Sequence, residues 1–150
     1  MDEFLINANE ELKRVDHLIY VSLKYTRTVD VIRSIIVRLI DSYNYIFEGM
    51  LQSLLKKKKI KEIPVAPQLR CSLLKEKFAN DPVVLEYVNL YLLLRRLSRA
   101  KYSEKNEFRR HVTMTAHFEG QDDVPVDIDI ISEYYRKTKE FLEYIRAMFG

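Results

Sequence analysis

Two of the chain's three histidines and a pair of arginines stand together in a sequence that is otherwise rich in Leu, Ile and Tyr. They lie in the stretch 109–117, which has the sequence RRHVTMTAH. An arginine can hold a phosphate through two parallel hydrogen bonds, and a neutral imidazole can move protons near neutral pH. Those two groups are sufficient for phosphodiester cleavage without a metal ion. The candidate catalytic residues are therefore Arg110, His111 and His117.

A further set of arginines precedes this stretch and can supply groups that bind a substrate. The set consists of Arg95, Arg96 and Arg99. These residues lead along the chain towards Arg109, and the four arginines together predict one basic edge that binds the backbone of a nucleic acid. The alternative is that Arg109 and Arg110 form ion pairs with nearby carboxylates. In that case the two histidines are ordinary surface or packing residues.

The composition indicates one folded domain over residues 1–150. Of the 150 residues 47% are hydrophobic, and only 3 are Gly and 4 are Pro, so disorder is not expected. A formal net charge of +3 permits RNA binding but does not by itself indicate it. The lone Cys71 excludes an internal disulfide, no apolar run approaches about 18 residues, and the acidic start is unlike a signal peptide. We therefore expect a cytoplasmic protein with no membrane partner.

Hydrophobic residues at steps of three and four predict helices over most of the chain. The expected helices cover approximately residues 3–25, 29–55, 67–78, 82–99 and 130–149. A hydroxyl in the Thr26–Thr28 break can cap the second helix, and Asp81 followed by Pro82 can start the fourth. Two prolines at 64 and 67 separate the second helix from the third. The sequence thus predicts a mainly all-α fold, a bundle of four or five helices.

The segment before the last helix has two interpretations. Apolar residues alternate over 112–118 and again over 124–130, around a turn that contains Gly120. This pattern predicts a small β-hairpin near 112–130, and a loop with a short helical segment is the alternative. The choice affects the chemistry, because residues seven apart share one face of a helix but point to opposite faces of a straight strand. Arg110 and His117 diverge if they belong to one regular strand.

The order of these features resembles the HEPN superfamily of small helical domains. Long amphipathic helices are followed by an Arg…His element, an acidic turn and a final helix. The family motif is an arginine, a polar residue, a few variable positions and a histidine. Here His111 follows Arg110 directly, and His117 closes the element after five more residues. The stretch 126–142 also resembles the last-helix region of that family. The layout covers nearly the whole chain, and the motif covers 110–117.

The resemblance implies partners and a reaction. HEPN domains occur as toxin ribonucleases of toxin–antitoxin pairs and as partners of minimal nucleotidyltransferases. The resemblance therefore implies a homodimer that associates with RNA or a nucleotide. It also implies a nucleotidyltransferase as partner protein and metal-independent endoribonuclease activity. In such a site Arg110 would hold the scissile phosphate and His117 would act as acid or base. His111 would supply the complementary role.

A function without catalysis is the alternative to the ribonuclease function. A non-catalytic module for dimerisation or protein interaction is favoured by the helix over 29–55, whose apolar stripe is longer than one small core needs. A metal site is not predicted, since the acids at 122–129 lack the order of a calcium loop. Asp127 or Asp129 as the cap of the last helix accounts for those acids. We expect no metal and no cofactor.

Overall fold

The computed structural model describes residues 1–149, and helices dominate this range. The helices, named here in chain order, are α1 (Asp2–His17), α2 (Val29–Lys56), α3 (Pro67–Lys77), α4 (Pro82–Arg99) and α5 (Ile128–Phe149). The strands are β1 (Lys101–Lys105), β2 (Thr113–His117) and β3 (Val124–Val126). Every predicted helix is present with its ends shifted by a few residues. The prediction of a mainly α-helical fold with a small β element is confirmed.

The first predicted helix is present but irregular. α1 continues without a break into a π-helical segment, Leu18–Ser22, and ends in one further α-turn, Leu23–Tyr25. In the π-helical segment the N–H of Leu23 donates to the carbonyl of Leu18, five residues earlier. The apolar spacing of the sequence does not reveal this irregularity.

α2 is the central helix, and two side chains cap its start. Thr28 Oγ1 accepts a hydrogen bond of 3.4 Å from the N–H of Val31, so the hydroxyl cap predicted for the Thr26–Thr28 break comes from Thr28. Glu107, from a loop far along the chain, accepts a hydrogen bond of 3.1 Å from the N–H of Val29. α1 packs along α2, and Ser42 donates to the carbonyl of Ala8 at 3.1 Å in that interface. α2 therefore contacts both α1 and the loop that precedes β2.

Aromatic rings from three helices form the centre of the core. They are Tyr43 and Phe47 of α2, Tyr87 and Tyr91 of α4, and Phe141 of α5. Contacting rings have centroids 4.7–6.1 Å apart, which is the range of offset and edge-to-face packing. Burial raises the pKa of Tyr43 far above its ordinary value, so its phenol is neutral. The Thr138 hydroxyl lies 3.1 Å from that phenol oxygen and satisfies it.

Asp81 performs the capping role that the sequence predicted for it. Its Oδ1 accepts hydrogen bonds from the N–H groups of Val83 and Val84, at 3.0 and 3.1 Å. Its Oδ2 accepts a hydrogen bond of 2.7 Å from the hydroxyl of Tyr144. One carboxylate therefore both caps α4 and connects α4 to α5.

The three strands form one antiparallel sheet in the order β1-β2-β3. β2 and β3 confirm the predicted hairpin, and the loop with a short helical segment is excluded for 113–117. The second arm of the hairpin was predicted too long, because α5 begins at Ile128. β1 was not predicted. It pairs with the whole of β2, from Lys101 opposite His117 to Lys105 opposite Thr113.

The sheet has one buried and one exposed face. Met114, Ala116 and Val126 are fully buried against the helices, so this face belongs to the core. The alternate residues of β1 and β2 face outwards.

Among residues 1–149, no helix has both the length and the apolar character that crossing a membrane requires.

Candidate functional site

A cavity of about 380 Å³ lies between three segments that are distant in sequence. Its walls come from the π-helical end of the first helix, the loop before β2, and the first turn of α5. Ile19, Leu23 and Ile128 give it an apolar wall. The remaining lining is polar and mainly basic. This combination suits a ligand with an anionic group and an apolar part.

The polar wall carries more basic than acidic groups. The basic side chains are Lys24, Arg27 and Arg110, with His111 beside them, and the acids are Asp127 and Asp129. Within residues 1–149, Lys24, Arg27 and Arg110 form no ion pair. A guanidinium without a carboxylate partner keeps its donors for a ligand, and it binds phosphate especially well.

The start of α5 contributes to the same wall. Asp127 Oδ1 accepts a hydrogen bond of 2.8 Å from the N–H of Ile130, which confirms the predicted cap at Asp127. Ser132, in the first turns of the helix, also lines the cavity. The partial positive charge at a helix N-terminus favours an anion there. It adds to the charge of the three cations.

The loop over 106–111 holds an uncommon backbone conformation. Asn106 and Phe108 have φ angles of 58° and 64°, in the left-handed region that is unfavourable for a bulky side chain. The start of α2 holds the loop in place. The N–H of Phe108 donates to the carbonyl of Arg27 at 2.6 Å, and Glu107 caps α2. Asparagine tolerates this region, but at Phe108 it costs about 1–3 kcal/mol, and such strain is concentrated at functional sites.

The opposite wall is the π-helical segment Leu18–Ser22, which places Ile19 and Tyr20 at the cavity. Single π-helical turns are rare and are found frequently at functional sites. Two irregular backbone segments, far apart in the sequence, therefore face one cavity. This coincidence identifies the cavity as the candidate site.

The structure brings Arg110 and His111 to the cavity and places His117 elsewhere. Arg110 and His111 precede β2, whereas His117 ends it, opposite Lys101 at the start of β1. The four steps from Thr113 to His117 span about 13 Å of extended chain. Arg110 and His117 therefore lie at opposite ends of the sheet and do not converge within one chain.

His117 has its own partners on the exposed face of the sheet. Its Nδ1 lies 2.9 Å from Asp123 Oδ1, and its Nε2 lies 2.8 Å from Ser103 Oγ. All three side chains are exposed to solvent. Ser103 was not predicted as a functional residue, because the strand that carries it was not predicted.

The four arginines predicted to bind substrate do not reach the cavity. Arg95 and Arg96 lie over aromatic rings, at 5.8 and 4.4 Å from the ring centroids, and Arg99 and Arg109 are exposed. Nor do Arg109 and Arg110 form the ion pairs considered as the alternative, among the residues that the structure describes. The predicted basic edge is therefore not continuous with the cavity.

Sequence reasoning missed Tyr20, Lys24 and Arg27 as site residues. Tyr20 and Lys24 belong to the polar side of a helix, and Arg27 lies in the break that follows it; such residues are normally only solvated. Contact with the 106–111 loop brings them opposite Arg110, and that contact joins segments about eighty residues apart. The sequence holds no local signal for it beyond the break at Thr26–Thr28.

No protein-family model, curated protein or solved structure matches this chain. The resemblance to the HEPN superfamily is therefore a prediction from the sequence. Within residues 1–149, no three side chains of His, Cys, Asp or Glu are grouped as a metal site requires.

Proposed function

We propose that this protein binds RNA or a nucleotide at the cavity and cleaves RNA there without a metal ion. One observation carries the proposal: Lys24, Arg27 and Arg110, all without ion-pair partners among the described residues, line the same cavity as His111. A phosphate is well matched to such a group of donors. The apolar wall beside Ile19 can accommodate a sugar or a base.

Each group has a defined task in the proposed reaction. Arg110 holds the scissile phosphate and stabilises the charge that develops on its oxygens. The carboxylate of Asp129 takes the proton of the 2′-hydroxyl, whose oxygen attacks phosphorus. Protonated His111 gives its proton to the 5′-oxygen as that phosphorus–oxygen bond breaks. The products are a 2′,3′-cyclic phosphate and a free 5′-hydroxyl. The acid role that the family motif suggested for His117 is assigned to His111.

Replacing His111 with alanine is expected to slow RNA cleavage by about 100-fold, because the leaving oxygen loses its proton donor. The assay uses an end-labelled single-stranded RNA and total RNA in excess chelator, with detection of the cyclic phosphate. His17→Ala is the matched control, since His17 is exposed and does not line the cavity. It should cleave at the rate of the parent.

Three results would count against this proposal. Loss of cleavage in His117→Ala but not in His111→Ala would place the reaction at the other end of the sheet. Cleavage that requires a divalent ion would contradict the metal-free mechanism. Fluorescence anisotropy with labelled RNA tests the binding step alone. A folded parent that neither binds nor cleaves RNA would remove the proposal altogether.

A second candidate function is an interaction module that pairs with a second copy of the chain. Tyr20, Tyr25 and Phe108 are 62%, 79% and 76% exposed. Tyr20 lines the cavity, Tyr25 lies two residues before Arg27, and Phe108 is bonded to the backbone of Arg27. Clustered exposed apolar side chains mark interaction surfaces. Pairing these faces would set two cavities opposite each other, as the homodimer of the resemblance would require.

The double variant Tyr25→Ser/Phe108→Ser is expected to convert a dimer into a monomer, because it removes the two most exposed rings of this face. Light scattering after size-exclusion chromatography measures the mass. Val65→Ser is the control, since Val65 is 90% exposed but lies in the connection between α2 and α3. A monomeric parent, or a dimer that both variants preserve equally, would argue against pairing through this face.

A further inference from the structure

We propose that Ser103, His117 and Asp123 form a second chemical site, in which Ser103 is a nucleophile that reacts with small activated esters. The Ser103 hydroxyl contacts one ring nitrogen of His117 at 2.8 Å, and the Asp123 carboxylate contacts the other at 2.9 Å. A nucleophile, a base and a group that orients the base are the three parts of an activated hydroxyl. This site is independent of the cavity and of the function proposed for it.

The two contacts of His117 determine which nitrogen can act as base. A carboxylate accepts but does not donate, so in the neutral ring the proton lies on Nδ1, which donates to Asp123. Nε2 then carries the lone pair, and it accepts the hydrogen bond from the hydroxyl of Ser103. This is the tautomer that removing a proton from Ser103 requires. Asp123 is a positioning residue, because it acts through the ring.

The sheet explains why these side chains meet. Ser103 pairs with Thr115, and Lys101 pairs with His117, so Ser103 and His117 are diagonal neighbours on the outer face. The turn after β2 returns Asp123 to the other side of the ring. β1 is an edge strand, and the side chains of His117 and Asp123 are 42% and 57% exposed. A reagent in solution can therefore approach Ser103 directly.

Lys101 completes the arrangement with a positive charge. It stands directly opposite His117 in the register and two residues before Ser103, hence on the same face of the sheet. Within residues 1–149 it forms no ion pair. Its ammonium group can stabilise the negative oxygen that forms when a carbonyl is attacked. The open face favours small esters, particularly those that carry a negative charge.

The proposed reaction has two balanced steps. Ser103 Oγ bonds to the acyl carbon while its proton passes to His117 Nε2, and the bond to the alcohol oxygen breaks as that oxygen takes the proton from His117. Water then attacks the acyl-serine, His117 accepts its proton and returns it to Ser103 Oγ, and a carboxylic acid leaves. The reaction with a fluorophosphonate stops after one step: Ser103 Oγ bonds to phosphorus, its proton passes to His117 Nε2, and fluoride leaves.

The test is covalent labelling of the intact protein with an alkyl fluorophosphonate. Mass spectrometry is expected to find one added group, located on Ser103 by fragmentation and absent from Ser103→Ala. His117→Ala should lower the labelling rate by about 100-fold, the usual contribution of a general base. Asp123→Asn should lower it as well, whereas Asp123→Glu, which retains the carboxylate, should restore most of the rate.

Thr115→Ala is the matched control, because Thr115 pairs with Ser103 on the same face but contacts neither ring nitrogen. It should be labelled like the parent. Circular dichroism verifies that each variant is folded. The proposal is overturned if the folded parent is not labelled at Ser103, or if labelling is as fast in His117→Ala as in the parent. Labelling of Asp123→Asn at the rate of the parent would remove Asp123 from the site.

Discussion

Replacing Arg110 with alanine is expected to lower the kcat/KM for RNA cleavage by about 100-fold to 1000-fold. The Arg110 side chain lines the cavity, is exposed, and forms no ion pair within residues 1–149. It therefore contributes little to the folded state, and its removal should change the free energy of unfolding by no more than about 0.5 kcal/mol. Cleavage of labelled RNA in excess chelator measures the first quantity, and urea denaturation measures the second.

Two further variants separate a phosphate clamp from a general effect of charge. Arg110→Lys keeps the charge but loses the paired donors, so it should recover only part of the activity. Arg109→Ala removes the same charge from the adjacent residue, which does not line the cavity. The loss of kcat/KM in Arg109→Ala should stay within about threefold, as expected for a solvent-screened charge that does not contact the phosphate. Equal losses in Arg109→Ala and Arg110→Ala would show that net charge, not a clamp, accounts for RNA cleavage.

The helices could be predicted because their signals are local. An apolar stripe, a hydroxyl cap in the Thr26–Thr28 break and an Asp81-Pro82 start are each set by residues one or two turns apart, and the structure confirms all three. The π-helical segment Leu18–Ser22 could not be predicted in the same way. Its residues fit a regular helix equally well, and the difference is one shifted hydrogen bond.

β1 could not be predicted, because its stability does not come from its own sequence. Residues 101–105 read KYSEK, and only Tyr102 among them is apolar. The strand is held by pairing with β2 and by Arg33, whose guanidinium lies 4.5 Å from the Tyr102 ring and donates to its hydroxyl at 3.2 Å. These contacts join residues about seventy positions apart. Because β1 was not predicted, Ser103 was not predicted as a functional residue either.

The candidate site was predicted in part. Arg110 and His111 were singled out from their chemistry, and the structure places both at one cavity. The partner expected from the family motif, His117, is separated from them by the length of β2. The motif spacing suits a helix, where residues seven apart share a face, whereas these residues form a turn followed by a strand. Whether a spacing brings two groups together depends on the secondary structure between them.

Replacing Phe141 with alanine is expected to lower the free energy of unfolding by about 3–5 kcal/mol. Phe141 is fully buried, and its ring centroid lies 4.7 Å from that of Tyr87 and 5.7 Å from that of Tyr43. These rings come from α4 and α2, so the substitution leaves a cavity where three helices meet. Rigid helix packing prevents full collapse of that cavity, and the cost therefore exceeds the transfer free energy alone. Urea denaturation followed by circular dichroism measures the loss.

Phe149→Ala is the matched control on the same helix. Phe149 is half-buried, packs edge-to-face with Phe78 at a centroid distance of 6.5 Å, and has the Lys57 ammonium 5.4 Å from its ring centroid. The cost should therefore be about 1 kcal/mol. The comparison also concerns the candidate site, because the start of α5 and its cap supply Asp129, Ser132 and Asp127 to the cavity. If α5 is held mainly at Phe141, Phe141→Ala should weaken RNA binding under mild denaturing conditions where Phe149→Ala does not. Equal free-energy losses in the two variants would mean that the aromatic cluster is not what fastens α5 to the core.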